Sequence, residues 1–163
     1  MPPCPRAFAD ALVHAPGMTN ETPRDAEFQP FIDAQRAVFE TALQELRAGQ
    51  KQSHWMWFIF PQLAGLGRSE MARRFALHDL AQARRYLQHP LLGARLIAAA
   101  QTAQAALQAG TGLLHLFGAI DSQKFISCMT LFAAAAGEDA VFARILEKLQ
   151  TRDRKTLELL GSP

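Results

Sequence analysis

The chain predicts an all-α fold, a compact bundle of about seven to nine mostly short helices. Three observations carry this. Apolar residues recur at intervals of three and four along most of the chain, the spacing of one helical face. Serines and aspartates that can cap a helix precede several of these stretches, and glycines follow them. No segment alternates apolar with polar residues, no hairpin turn pair occurs, and no repeat has a fixed period.

Residues 1–27 stand apart. They hold Pro2, Pro3, Pro5, Pro16 and Pro23 without sustained periodicity, and read as a disordered or loosely attached N-terminal tail. Within them residues 7–13 could form one helical turn, and Met18 is a candidate biological start. Residues 28–163 then make a single helical domain. A first helix is expected over residues 30–46, with Pro30 in its first turn and Phe31, Ala34, Val38, Ala42 and Leu46 on its buried stripe. Residues 55–61 are apolar throughout, which suits a short buried helix capped by Ser53 and ended near Pro61.

Ser69 marks a short helix through Phe75. Asp79 with Gln82 resembles a capping box and opens a helix to about Gln88. His89-Pro90 then breaks the chain, because the residue before proline avoids helical angles. Residues 91–109 are rich in good helix formers and are stopped by Gly110. A short apolar turn to Phe117 ends at Gly118. Asp121 is expected to cap a helix to Ala136, Asp139 the next one, and Asp153 a last short one to Leu160.

Composition narrows the function classes. Hydrophobic residues make up 49% of the 163 residues and charged residues 20%, enough to bury a core and too much apolar content for whole-chain disorder. The formal net charge is only +2, so attraction by overall charge is not indicated. Cys4 and Cys128 lie far apart and suggest no disulfide framework, which fits a reducing, cytoplasmic setting. No apolar run reaches the ~20 residues that cross a bilayer, and no signal-peptide core is present, so no membrane association is expected. There is no glycine-rich phosphate loop, HExxH, CxxC pair, GxSxG or calcium loop. No cofactor and no metal are therefore expected.

The segment Lys51 to Gln62 is the most unusual. It holds both tryptophans. As a pocket wall it would offer Trp55 or Trp57 to a flat ligand, His54 as acid, base or donor, Lys51 to an anion, and Gln62 for orientation. The same indoles would serve equally as core anchors. Arg68, Arg73, Arg74, Arg84, Arg85 and Arg95 could form a basic face for phosphate or nucleic acid, although solvated helix faces look alike and nucleic acid is not favoured. His89 stands at a helix entrance with Arg95 one turn further on, an arrangement that suits an anion or simply a proline-initiated helix. Lys124 follows Asp121 at helical spacing, again either functional or solvated. Cys128 sits among apolar residues and reads as an inert core thiol.

Three blocks carry a family resemblance. They are His54-Trp55-Met56-Trp57-Phe58-Ile59-Phe60-Pro61-Gln62 with Leu66-Gly67-Arg68-Ser69, then residues 86–96 around His89-Pro90-Leu91-Leu92-Gly93, then Phe117-Gly118-Ala119-Ile120-Asp121-Ser122-Gln123-Lys124. Together they resemble the bacterial family catalogued as domain of unknown function 1810, over residues 28–160. The resemblance implies an all-helical fold and no particular activity. Some members are labelled calpastatin, but that inhibitor's repeats are mostly disordered, whereas this chain reads as a compact domain.

The expectation for function is a small-molecule-binding domain. Lys51, His54, Trp55, Trp57, His89, Arg95, Asp121 and Lys124 would line its pocket, with Gln62 beside them. A flat or anionic compound, such as a nucleotide or an ADP-ribose-like molecule, suits this set. His54 or Asp121 would be the acid or base, and Lys51 and Arg95 would hold negative charge. The set suits binding as well as catalysis. The alternative is a protein–protein interaction module, which predicts a contiguous exposed apolar patch and no polar-lined cavity.

Overall fold

The computed structural model describes residues 23–161, and nine helices occur among them. Cys4, the turn at residues 7–13, the Met18 start and most of the expected tail lie outside the described residues. In chain order the helices are α1 (Pro23–Arg36), α2 (Phe39–Arg47), α3 (Met56–Ile59), α4 (Glu70–Arg74), α5 (Leu80–Gln88), α6 (Leu92–Gln108), α7 (Leu113–Ala136), α8 (Val141–Leu149) and α9 (Arg154–Leu159). The all-α class is as the periodicity predicts. An isolated parallel bridge joins Leu63 to Leu77.

Helix α7 is the centre. It packs against α5, α8, α9 and α3, while α6 packs against α2, α5 and α8. Phe125, Cys128, Met129, Leu131 and Phe132 of α7 are fully buried, along with Tyr86 of α5 and Phe142 of α8. Each such side chain contributes roughly 1.5–3 kcal/mol by leaving water. Burial pushes the Cys128 thiol well above its usual range, so the sulfur is held as an unreactive thiol.

The expected single helix over residues 30–46 is two. The chain breaks at Ala37-Val38, and Pro30 lies inside α1, not in its first turn. The break lets the two halves face different partners. Phe31 meets Phe75 and Tyr86 edge-on, whereas α2 lies along α6. Helix α1 takes in residues 23–27 of the expected tail and is anchored through them. Asp25 holds His89 Nε2 at 2.8 Å, and Glu27 pairs with Arg85 at 2.7 Å.

Three expected caps are as read: Ser69 accepts from Ala72 N, Asp79 from Gln82 N, and Asp153 from Thr156 N. Three others are corrected. Helix α8 follows Ala140 with no side-chain cap, so Asp139 does not cap it. Ser53 bonds to Glu45, and Trp55 stands at the cap of α3. Asp121 engages two ammonium groups. Gly118 does break α7, at φ 78° and ψ 172°, so the expected stop there is real, but helical turns continue directly beyond it.

Candidate functional site

The site begins with a loop that has almost no secondary structure, residues 48–55, and with one carboxylate that organises it. Glu45 of α2 accepts hydrogen bonds from Gln52 N, Ser53 N, Ser53 Oγ and Trp55 Nε1. Partial burial opposes its charge, but these donors outweigh the burial and bring the carboxyl down from 4.5 to about 2. The indole of Trp55 is thereby locked in the core, with none of its surface exposed. Lys51 N donates to Leu116 O at 2.7 Å, tying the loop to the first turns of α7.

Around this loop two cations share one anion. Lys51 Nζ lies 2.8 Å from Asp121 Oδ2 and donates to Ser53 O at 2.7 Å, with its side chain only 7% exposed. Lys124 Nζ lies 3.5 Å from Asp121 Oδ1. Each ammonium also rests on an indole: Lys51 lies 5.0 Å from the Trp55 ring centre and Lys124 4.8 Å from that of Trp57. The kink at Gly118 turns the start of the following helical stretch towards this loop. Lys51, His54, Trp57, Asp121 and Lys124 border one shallow hollow there, with His54 exposed at its rim.

A deeper cleft of about 330 Å³ opens on the other side of Trp57. Its apolar walls are Trp57, Leu63, Leu66, Phe75 and Ile120, and its polar groups include Gln62, Gln123, Lys124 and Asp153. Two hydrogen bonds between chain segments set the wall that carries Gln62: Leu77 N donates to Gln62 O at 2.9 Å and Ala64 N to Leu77 O at 2.7 Å. Ile120, at the mouth, is 75% exposed. Trp57, Ile120 and Lys124 belong to both concavities.

A family model described as "Protein of unknown function (DUF1810)" matches residues 25–160. The chain belongs to the DUF1810 family. The three blocks singled out in the sequence therefore mark true kinship. A crystal structure of the conserved hypothetical protein Rv1873 from Mycobacterium tuberculosis is similar to this DUF1810 chain at 40% identity and a TM-score of 0.80, over 87% of this chain and 100% of that one. No curated protein matches it.

The structure gathers some of the sequence-predicted site residues and separates others. Lys51, His54, Trp57, Asp121 and Lys124 meet at the hollow, and Gln62 lies in the adjoining cleft. Trp55 is behind them, in the core. His89 and Arg95 are elsewhere, at the junction of α1, α5 and α6. The His89 side chain is 3% exposed, and its Nδ1 accepts from Leu91 N and Leu92 N at 3.2 Å each, capping the entrance to α6. Arg95 lies over the Phe39 ring and reaches Gln35 Oε1 at 3.4 Å. Of the other arginines, Arg85 is paired with Glu27, and Arg74 lies against Phe75.

Sequence reasoning missed Glu45 as the organiser of the loop, and Leu66, Phe75, Ile120 and Asp153 as lining of the cleft. Ile120 alone left a usable signal, a large apolar residue directly before the polar run Asp121-Ser122-Gln123-Lys124. Among the described residues no group of three His, Cys, Asp or Glu could hold a metal ion, and no helix is long and apolar enough to cross a membrane.

Proposed function

We propose that this domain binds a small molecule with one flat, apolar part and one anionic part, the make-up of a nucleotide or an ADP-ribose-like compound. The flat part enters the cleft beside Trp57 and Phe75, and the anion lies at Lys124, where cleft and hollow join. One observation carries the reading: two ammonium groups, those of Lys51 and Lys124, share the single carboxylate of Asp121, beside an indole that walls both concavities. Partly buried positive charge left in excess attracts an anion more strongly than the same charge in water. Lys51 is held on three sides and acts by fixing Asp121. Lys124 is the more exposed member, with the longer contact. His54, exposed at the rim, is the group placed to give or take a proton.

Titration of AMP and of ADP-ribose into the full chain, followed by intrinsic tryptophan fluorescence and by thermal shift, tests this. Binding is expected to raise the melting temperature by mass action. Trp57→Ala is expected to weaken it by roughly 10-fold or more, as loss of a base–aromatic stack does. Trp57 is only half-buried, so the variant should fold. If neither compound moves either signal, or if Trp57→Ala binds as well as the natural chain, the reading fails.

A further inference from the structure

We infer that Asp153 reads the edge of the flat group in the cleft, selecting a ring that carries an amino group; this rests on the ligand reading above. Asp153 is 8% exposed and lines the cleft. Its carboxylate is rigidly set. Oδ2 accepts from Thr156 N at 3.0 Å and from Thr156 Oγ1, and Oδ1 accepts from Gln123 Nε2 at 3.1 Å. Its own backbone N–H donates to Thr130 Oγ1 at 2.9 Å. None of the ion pairs among the described residues includes it. Lys155, which lines the same cleft, is exposed and is not among those pairs.

A buried carboxylate is costly to hold unless it is paired or fully hydrogen-bonded. An ionised carboxylate offers about four acceptor positions, and the three donors named leave one on the Oδ1 side. A ligand N–H would fill it. A ring without a donor at that edge would displace water and leave the acceptor unmet, the situation in which hydrogen-bonding sites discriminate most strongly. The apolar walls of Trp57 and Phe75 say only that the ring is flat; Asp153 says what it carries. The N-cap of α9 accounts for Oδ2, but not for the Gln123 contact that steadies Oδ1, nor for the place of Asp153 in the lining.

The test compares AMP with purine riboside 5′-monophosphate, which lacks only the amino group, on the full chain and on Asp153→Asn. Asparagine caps helices as well as aspartate does, so α9 should persist. The natural chain is expected to prefer AMP by about 10-fold or more, and Asp153→Asn to reduce that preference to about threefold or less, with the affinity for the purine analogue unchanged. Should Asp153→Asn unfold, Asp153→Ser, which can also cap, takes its place in the same comparison. Equal affinity of the natural chain for the two compounds, or a preference that survives the substitution, overturns the role of Asp153 while Trp57-dependent binding stands. Absence of binding for both compounds in the natural chain counts against this inference and the ligand reading together.

Discussion

A Gly93→Ala chain is expected to be about 3 kcal/mol less stable than the natural one, read as a lowered urea midpoint at unchanged slope. The reason is a collision with backbone. A Cβ built on Gly93 would lie 1.9 Å from the Leu87 carbonyl oxygen and 2.8 Å from its carbon. No side-chain rotation relieves that contact; the end of α5 and the start of α6 must move apart. The corner has little freedom to do so, since Gly93 N donates to His89 O at 2.9 Å and the His89 ring caps the same turn. Tyr86, fully buried one turn earlier in α5, would move with it. Gly110→Ala makes the same chemical change at φ +99° with nothing within 4 Å, so it should cost only the left-handed backbone penalty, about 1–2 kcal/mol. If Gly93→Ala proves no worse than Gly110→Ala, the α5–α6 corner is not the tight joint described above.

That corner also shows which features a sequence can display. Pro90 and Gly93 predict a sharp entry into α6, because both act on backbone within a few residues. The caps at Ser69, Asp79 and Asp153 are legible for the same reason: donor and acceptor are neighbours in the chain. Ser53, Asp121 and Asp139 are the same residue types in similar settings, yet none caps a helix. For Asp121 the competing partner, Lys51, comes from far along the chain; for Ser53 it is Glu45, eight residues back and across the turn that ends α2. A cap pattern read over three or four residues carries no trace of either. The break between α1 and α2 is hidden likewise. An unbroken stripe from Phe31 to Leu46 fits one helix, and only the positions of α5 and α6 require two.

The site divides along the same line. Lys51, His54, Trp57 and Gln62 come from one segment and Asp121 and Lys124 from another, so each half stands out by its own residue types. Their meeting depends on the kink at Gly118 and on the bond from Lys51 N to Leu116 O. His89 and Arg95 share those residue types but sit on elements that pack against α1, which commits them to Asp25 and Gln35. The cleft itself is drawn from α3, the loop after it, α4, α7 and α9, where no single stretch of sequence suggests a cavity.

Glu45 joins stability to the site, and its removal should be felt in both. Glu45→Gln leaves an amide nitrogen among four donors, with the buried Trp55 Nε1 left to find a poorer acceptor. The expected cost at pH 6 is about 3 kcal/mol, from the weakening of several partly buried, charge-assisted hydrogen bonds. The pH dependence gives a sharper signature. The folded carboxyl lies at about 2, below its ordinary 4.5. A depressed folded value contributes stability that is complete above 4.5 and drains away as pH falls from there towards 2. Solvent reaches part of this group, so screening reduces the effect to about 1 kcal/mol over the interval from pH 6 to pH 3. The gap in unfolding free energy between the natural chain and Glu45→Gln should therefore narrow by that amount on acidification. Other carboxylates, including Glu27, which its Arg85 hydrogen bond lowers, titrate equally in both chains and cancel. A gap that stays constant down to pH 3 would mean that Glu45 holds the loop by shape alone. In that case its charge would not be what presents Lys51 to Asp121 and sets Trp57 at the mouth of the cleft.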